Sequence, residues 1–175
     1  MMKIKDYVKK FFELFQIISK KYNKDEIKRK YYEDGIIKEE IYYKNGECHR
    51  ENGPAWIEYR ENGEIKCERY HINGKSHRED GPVYISYFEN GNIKCEAYGI
   101  NRKCHREDEP AVIQYYENRE IKFEKYYIND IQHREDGPAR INYNEDGKII
   151  KEEYWLNGIE LDLLQAMVIM GLKGE

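Results

Sequence analysis

The sequence is poor in the residues that build a conventional hydrophobic core. Leu, Ile, Val and Phe together account for 37 of 175 residues, and the mean hydropathy is −1.01. That fraction lies just above the level below which chains usually fail to fold. No run of about 18 apolar residues is present, and the lysine-rich first ten residues lead into an amphipathic segment rather than a signal-peptide core. These absences predict a cytoplasmic protein without a membrane span.

An excess of positive charge is also lacking. The chain has 30 Lys and Arg against 34 Asp and Glu, which gives a formal net charge of −4. Nonspecific nucleic-acid binding and polybasic membrane anchoring both need a basic surface. Direct nucleic-acid binding is therefore not expected, and a basic protein is the better-matched partner.

The apolar residues that are present favour β-structure. There are 22 Ile against 6 Leu, and 17 Tyr. β-Branched and aromatic side chains suit a pleated, half-buried surface. The composition therefore predicts a mainly β protein.

An internal repeat of 28 residues organises the chain. The motif H-R-E-[DN]-G-P begins at His49, His77 and His133, and the variant H-R-E-D-E-P begins at His105. The full units are 49–76, 77–104, 105–132 and 133–160, preceded by a degenerate first unit at 23–48. Terminal units of a stack are expected to be atypical. We predict one repeat domain over residues 1–175.

Each unit reads as two strands joined by tight turns. In the unit that begins at His49, the first strand runs from Ala55 to Tyr59 and the second from Ile65 to Ile72. Asn-Gly turns follow both strands, and Asn-Gly between apolar runs is a hairpin signal. Because hairpin-connected strands pair antiparallel, the pattern predicts one elongated, single antiparallel sheet of stacked hairpins.

The two faces of this sheet differ in composition. The positions of Ala55, Ile57 and Tyr59 keep the same residue types in all four full units, whereas the alternate positions vary. We call the varied side the varied face. In the second strand the apolar parity changes midway, which predicts a bulge near Glu68; a curved ribbon with both faces partly buried is the alternative.

Helices are expected at both ends of the sheet. Ile4, Val8, Phe11, Phe15 and Ile18 recur at helical spacing, which predicts an amphipathic helix over about 3–22. The apolar segment 161–171 predicts a second helix, short and well buried. Both would cap the sheet, because exposed edges invite aggregation.

The repeat resembles the MORN-like repeats in the variant form with Asn-Gly turns. The likeness rests on a Tyr, an Asn-Gly turn and an Ile-Lys-x-Glu-x-Tyr strand, and it extends from about Tyr31 to Gly158. It implies an elongated sheet that acts as a binding scaffold for proteins or lipid headgroups, without a catalytic centre. A compact MORN-like protein rich in Ile, Lys, Tyr and Glu also resembles anti-CRISPR inhibitors directed at the RNA-guided RNA nuclease of type VI systems.

The histidines and cysteines predict neither a metal centre nor a nucleophile. Equivalent residues of neighbouring units lie about 9 to 10 Å apart by sheet spacing. Ligands of one zinc ion must each lie about 2 Å from it, and a disulfide needs Cα atoms within about 7 Å. Cys67 and Cys95 occupy one such pair of positions, so free thiols are expected. We predict no catalytic residues, no metal and no cofactor.

The H-R-E-D-G-P block has a structural interpretation. Asp or Asn before Gly-Pro favours a tight turn, and Pro fixes φ as the next strand begins. We expect the Arg and Glu of the block to pair between neighbouring units. The alternative is a polar stripe along one edge that meets a partner.

Candidate partner-binding residues lie where the varied face breaks the repeat rule. They are aromatic and arginine side chains, which dominate interface hot spots: Trp56, Arg60, Tyr84, Phe88, Tyr116 and Arg140. Arg69, Tyr127 and Trp155 form a second rank. The alternative is that the N-terminal helix or a second copy of the chain covers them, so a homodimer is left open.

The sequence therefore predicts a non-enzymatic protein-binding module. The resemblance makes a type VI CRISPR effector nuclease its most specific partner, with an acidic ribbon occupying a basic RNA-binding surface. The alternative is a MORN-repeat scaffold or adaptor that binds another protein or anionic lipid. An enzyme is the third class, and the sequence offers no residue set to support it.

Overall fold

The computed structural model describes residues 10–14 and 25–171. Its main feature is one long antiparallel sheet of stacked hairpins, as the repeat predicts. Residues 10–14 are helical and fall within the predicted N-terminal helix, whose remaining residues lie outside the described ones.

The strands follow the repeat. The first unit forms β1 (Glu26–Tyr31), β2 (Ile37–Lys44) and β3 (Glu47–Cys48). The second unit forms β4 (Trp56–Tyr59), β5 (Ile65–Arg69), β6 (His71–Ile72) and β7 (Lys75–Ser76). The third forms β8 (Tyr84–Tyr87), β9 (Ile93–Ala97), β10 (Gly99–Ile100) and β11 (Lys103–Cys104). The fourth forms β12 (Val112–Tyr115), β13 (Ile121–Lys125), β14 (Tyr127–Ile128) and β15 (Ile131–Gln132). The last forms β16 (Arg140–Tyr143), β17 (Ile149–Leu156) and β18 (Ile159–Leu161).

The long sheet has the order β1-β2-β4-β5-β8-β9-β12-β13-β16-β17-β18, with β3 paired to β2. Three short ribbons, β6-β7, β10-β11 and β14-β15, stand beside it. Each unit thus adds a long hairpin and a short one.

The second strand of the unit is interrupted, unlike the continuous strand that the sequence predicts. The Tyr70 N–H donates to the Val83 carbonyl, and the Tyr70 carbonyl accepts from the His77 N–H. Tyr70 therefore leaves the β5 ladder and connects the long sheet to the short ribbon. The corresponding strands of the first and last units, β2 and β17, remain continuous.

The predicted bulge near Glu68 is wrong in position. The register shift lies where Glu58 pairs with Cys67 and Tyr59 pairs with Ile65, which leaves Lys66 without a partner. The bulge at Lys66 and the interruption at Tyr70 together produce the change of apolar parity.

Isoleucine and glutamate alternate across one face, which we call the Ile–Glu face. Successive cross-strand pairs form one row across the sheet, which contains in order Glu40, Ile57, Glu68, Ile85, Glu96, Ile113, Glu124, Ile141 and Glu152. The four isoleucines are buried, with 6 to 8% of their surface exposed. Tyrosine hydroxyls donate to the glutamates at 2.8 Å, in the pairs Tyr87–Glu68, Tyr115–Glu96 and Tyr143–Glu124. These bonds satisfy carboxylates that burial would otherwise penalise.

The H-R-E-D-G-P loops each hold their arginine over a tyrosine ring. The Arg78 guanidinium lies 4.0 Å from the Tyr70 ring centre, and its Nη1 donates to the Pro82 carbonyl at 3.3 Å. Arg50, Arg106 and Arg134 make the same two contacts. The predicted Arg–Glu pairing between neighbouring units is wrong for these four arginines: each contacts a tyrosine of the preceding unit and the proline carbonyl of its own block.

The short hairpins turn through left-handed residues. Asn73 and Gly74 have φ values of 48° and 69°. Positive φ at both central residues is the type I′ geometry that joins twisted antiparallel strands. Arg102 and Asp130 occupy the glycine position in two units, with φ of 72° and 69°.

The C-terminal helix spans Leu163–Met170, between Asp162 as N-cap and Gly171 as C-cap. It lies within the predicted segment 161–171, but it is not well buried. Only Ala166 is buried, whereas Leu164 and Val168 are 72% and 77% exposed. The apolar composition that suggested burial therefore faces outward.

Candidate functional site

The varied face consists of parallel rows of side chains that cross the strands. One row, which we call the central row, contains Trp56, Arg69, Tyr84, Ala97, Val112, Lys125, Arg140 and Glu153. The next row contains Glu58, Cys67, Ser86, Cys95, Gln114, Phe123, Asn142 and Lys151. Residues that are distant in sequence thus become lateral neighbours.

The first part of the central row forms a cation–aromatic stack, which we call the Trp56 cluster. The Arg69 guanidinium lies 4.5 Å from the Trp56 ring centre and 5.4 Å from that of Tyr84. Arg69 Nη1 also donates to Glu58 Oε1 at 2.7 Å. Burial opposes ionisation of Glu58, but the hydrogen bond and charge of Arg69 outweigh it and lower the Glu58 pKa. The stack is therefore charged and fixed in orientation.

Arg60 and Phe88 extend this cluster toward the turns. Both line an open groove of about 1020 Å³ together with Arg69 and Tyr84. Arg60 donates to the backbone carbonyls of Ile65 and Tyr87. The structure thus brings Trp56, Arg60, Tyr84 and Phe88 into one region.

Arg140 belongs to a second cluster, which we call the Arg140 cluster. Its guanidinium lies 5.8 Å from the Phe123 ring centre, and its Nη1 lies 3.7 Å from Glu153 Oε2. Lys125 Nζ lies 5.1 Å from the same Phe123 ring. The hydrogen bond from Lys151 lowers the pKa of the Glu153 carboxyl. Burial opposes this shift, and the charge of Arg140 adds to it. This region combines cations with an aromatic ring, like the first.

Small side chains separate the two clusters. Ala97 and Val112 lie between Tyr84 and Lys125 in the central row, with Cys95 and Gln114 beside them. Six strand spacings separate Trp56 from Arg140, or roughly 29 Å. The structure therefore does not bring Arg140 together with Trp56.

Tyr116 makes a contact between units. Its hydroxyl donates to the Tyr143 carbonyl at 2.9 Å, as Tyr32 does to the Tyr59 carbonyl at 2.8 Å. Arg60 reaches the corresponding Tyr87 carbonyl. This position joins consecutive units, a role visible only once the strands are placed.

Several buried side-chain nitrogens have no hydrogen-bond partner among the described residues. They are Trp56 Nε1, His71 Nδ1, Gln132 Nε2, Arg140 Nε and Trp155 Nε1. The sequence predicts Trp56 and Arg140 as first-rank site residues and Trp155 as second-rank. It misses His71 and Gln132, because the interruption of the strand breaks the period-two pattern before those positions. Unpaired buried polar atoms are costly, and these are covered by the chain itself, so a partner reaches them only if neighbouring side chains move.

Three of the four repeated histidines connect their loop to a turn. His49 Nδ1 accepts from the Asn73 backbone N–H at 3.1 Å, and His105 Nδ1 and His133 Nδ1 accept from the N–H groups of Asn129 and Asn157 at 3.3 and 3.0 Å. Within residues 10–14 and 25–171, no group of three or more His, Cys, Asp or Glu is arranged to hold a metal ion.

The four cysteines are free thiols. Burial raises the pKa of all four: Cys48, Cys67, Cys95 and Cys104. A raised pKa makes the reactive thiolate scarce. Their environment does not favour a nucleophile.

Stacked hairpins with one repeated and one varied face define a β-repeat module. Residues 27–45 and 83–101 match the family described as MORN repeat variant. The two segments begin 56 residues apart, which is two repeats, and they support a MORN-like repeat protein. Such repeats are generally non-catalytic and commonly bind proteins or lipids. Comparison with curated proteins gives no match, and neither does comparison with solved structures.

Neither helical segment within residues 10–14 and 25–171 could span a membrane.

Proposed function

We propose that this protein is a non-enzymatic repeat module that binds a protein partner through the varied face. The observation that supports this most is the Trp56 cluster. There a tryptophan, an arginine and a tyrosine from three successive strands stack on one another. Large aromatic and arginine side chains contribute most of the binding free energy in protein interfaces.

The arginines of the two clusters indicate the chemistry of the partner. The side chains of Arg69 and Arg140 are 30% and 34% exposed. A guanidinium only donates hydrogen bonds, so a complementary partner offers acceptors such as backbone carbonyls or carboxylates. The small residues between the clusters leave room for a ridge on that partner.

Alanine substitution tests the face. Trp56→Ala and Arg140→Ala together should weaken partner binding by a hundredfold or more, which is about 2.7 kcal/mol or more. Glu79→Ala, on an exposed H-R-E-D-G-P loop, is the control and should bind as the wild type does. Circular dichroism should be unchanged in both variants. Unaltered binding by the double variant would show that another surface is used.

The finer proposal is that the partner is the RNA-guided RNA nuclease of a type VI system, which rests on the resemblance alone. A tagged pull-down from lysate that contains the nuclease and its guide tests this directly. Recovery of the nuclease after RNase treatment supports a protein target, and loss of that recovery in the Trp56/Arg140 variant assigns it to the varied face. Recovery of RNA alone, or of neither RNA nor nuclease, would exclude the nuclease as the partner.

Anionic lipid is the second candidate, and a column of lysines favours it. Lys38, Lys94 and Lys122 occupy the same repeat position, and each lies over an aromatic ring at 5.2 to 5.6 Å. Cations beside aromatic rings suit a membrane interface. Flotation with phosphatidylserine vesicles tests it, because bound protein rises with the vesicles. Flotation with neutral vesicles alone, or with none, excludes this alternative.

A further inference from the structure

The two ends of the sheet have open edges of different kinds. Among the described strands, β1 pairs only with β2, and all six of its residues are exposed. At the other end, Ile149 to Glu153 of β17 pair with β16 on one side only, because β18 pairs with the later residues Tyr154 to Leu156. The corresponding segment of the second unit, β5, is paired on both sides.

We propose that these edges pair with each other, β17 of one copy with β1 of the next, so that a second copy of the chain continues the sheet. The register follows from the interior, where Cys67, Glu68 and Arg69 face Ser86, Ile85 and Tyr84. Lys151, Glu152 and Glu153 are the repeat equivalents of Cys67, Glu68 and Arg69. Lys30, Arg29 and Lys28 are the equivalents of Ser86, Ile85 and Tyr84. The same register therefore places Lys151, Glu152 and Glu153 opposite Lys30, Arg29 and Lys28 of the neighbouring copy.

Charge complementarity supports this register. Two of the three cross-edge pairs join an acid to a base, and one joins two lysines. The lysines already have acidic partners in their own chains, Lys151 with Glu153 and Lys30 with Glu39. Opposite charges directly across antiparallel strands are stabilising.

Arg29 is the most informative residue of the edge. In the interior of the Ile–Glu face, the residue between two glutamates is always isoleucine: Ile57, Ile85, Ile113 or Ile141. The equivalent residue of β1 is Arg29, which binds Glu40 through Nε at 2.7 Å. Pairing with β17 would place Glu152 on its other side. An arginine between two carboxylates suits a junction between copies.

Apolar residues replace the repeat consensus at the same two edges. Ile150 stands where the interior units have Lys66, Lys94 and Lys122, and it is 64% exposed. Ile27 stands where three other units have the fully buried Ala55, Ala111 and Ala139 and one has Val83, and it is 46% exposed. A neighbouring copy would cover Ile27, whereas the position of Ile150 stays exposed even in strands that pair on both sides, as Lys66 shows.

Charged edge strands usually prevent aggregation. Here the two edges carry opposite net charge, since β1 has three cations and one acid while Ile149 to Glu153 have one cation and two acids. Like edges therefore repel and unlike edges attract. This contact is heterologous, so it leaves one free edge of each kind and allows growth beyond the dimer.

Sedimentation velocity over a wide range of protein concentration tests the proposal. The wild type should form species that grow beyond the dimer, and added salt should weaken them. Glu152→Lys should lower the association constant about tenfold. Ile27→Ala restores the residue of three other units and removes apolar surface that the contact would bury, so it should also reduce association and serves as a second variant that is compatible with the fold.

Glu79→Lys is the matched control, because it makes the same charge change on an exposed loop away from both edges. It should associate as the wild type does. Three results would overturn the proposal: a wild type that stays monomeric throughout, a dimer that does not grow, or unchanged association of both Glu152→Lys and Ile27→Ala.

Discussion

Tyrosine hydroxyls are hydrogen-bond donors to the glutamates that alternate with isoleucine on the Ile–Glu face. Tyr115 donates to Glu96 at 2.8 Å, and the two residues are 19 positions apart in the sequence. Burial, followed by the hydrogen bond to Glu96, raises the Tyr115 pKa well above its ordinary value. The phenol therefore stays protonated and can donate throughout the physiological pH range. At this scale specific polar pairs add to the burial of the isoleucines between them.

Removing one such hydroxyl should destabilise the protein. Tyr115→Phe leaves the half-buried Glu96 carboxylate without this donor and should lower the free energy of unfolding by about 1 to 3 kcal/mol. Urea denaturation measures it. The control is Tyr31→Phe, which removes a hydroxyl from a side chain that is 56% exposed and should change stability little. Equal effects of the two substitutions would contradict this role of the Tyr–Glu pair.

His71 gives the protein a specific pH dependence. Burial lowers its pKa below the ordinary value of 6.5. The unfolded chain therefore binds a proton that the folded chain does not, and stability falls as the pH falls from 6.5 toward the folded-state pKa. Tyrosine occupies the equivalent position at Tyr43 and Tyr127, so His71→Tyr is compatible with the repeat.

Thermal melts at about pH 7.5 and about pH 5.5 measure this effect. The drop in melting temperature between the two should be smaller in His71→Tyr than in the wild type. An identical drop in both proteins would assign the pH dependence to other groups.

The turns illustrate the scale of the structural element. In its own H-R-E-D-G-P loop Gly81 has a φ of 151°, and an added Cβ would lie 3.1 Å from the Arg78 Cζ, whereas Glu109 takes the equivalent position of the next unit without a positive φ. Gly81→Val should lower the free energy of unfolding by about 2 kcal/mol or more, because the backbone is strained and the Arg78–Tyr70 contact is disturbed. Glu79→Val, on the same exposed loop, should be tolerated. An unchanged melting temperature in Gly81→Val would count against this description of the turn.

The turn at Arg119 should respond in the opposite direction. Arg119 has φ of 74° where other units have Gly63, Gly91 and Gly147. Arg119→Gly relieves the left-handed strain and should stabilise the protein by about 0.5 to 1 kcal/mol. The loss of the exposed hydrogen bond from Arg119 to Asn92 reduces this gain. Arg119→Ala loses that bond without relieving the strain. Urea denaturation should therefore rank glycine above alanine, and the reverse order would refute the explanation.

The whole molecule is a one-dimensional array, in which each unit contacts its neighbours. Deleting residues 105–132 removes one repeat and joins Cys104 to His133, a junction like the natural Cys104–His105. The product should fold with antiparallel sheet intact and unfold at a lower temperature, because one unit and one interface are lost. Deleting the half-unit 105–118 should abolish cooperative unfolding. Circular dichroism melts distinguish the two, and equal behaviour would contradict register-dependent stacking.

Partner binding and self-association also belong to this scale. The varied face spans several units, and the two open edges lie at opposite ends of the array. Pairing of the edges would repeat the Trp56 and Arg140 clusters once in every copy. A partner with several sites would then bind more tightly by avidity.

The sequence by itself determined the repeat, the mainly β fold and the positions of the turns. These features are local, because an Asn-Gly pair adopts left-handed φ and a proline fixes its own φ wherever they occur. The candidate residues Trp56 and Tyr84 could likewise be selected by period-two alternation.

Only the tertiary structure decided which candidates meet. The interruption at Tyr70 depends on a hydrogen bond to Val83, and the stack of Trp56, Arg69 and Tyr84 depends on the pairing of three strands. The Ile–Glu face likewise depends on tyrosines that donate to glutamates 19 residues away. Each of these contacts joins residues that are distant in sequence, so local propensity carries no signal for them.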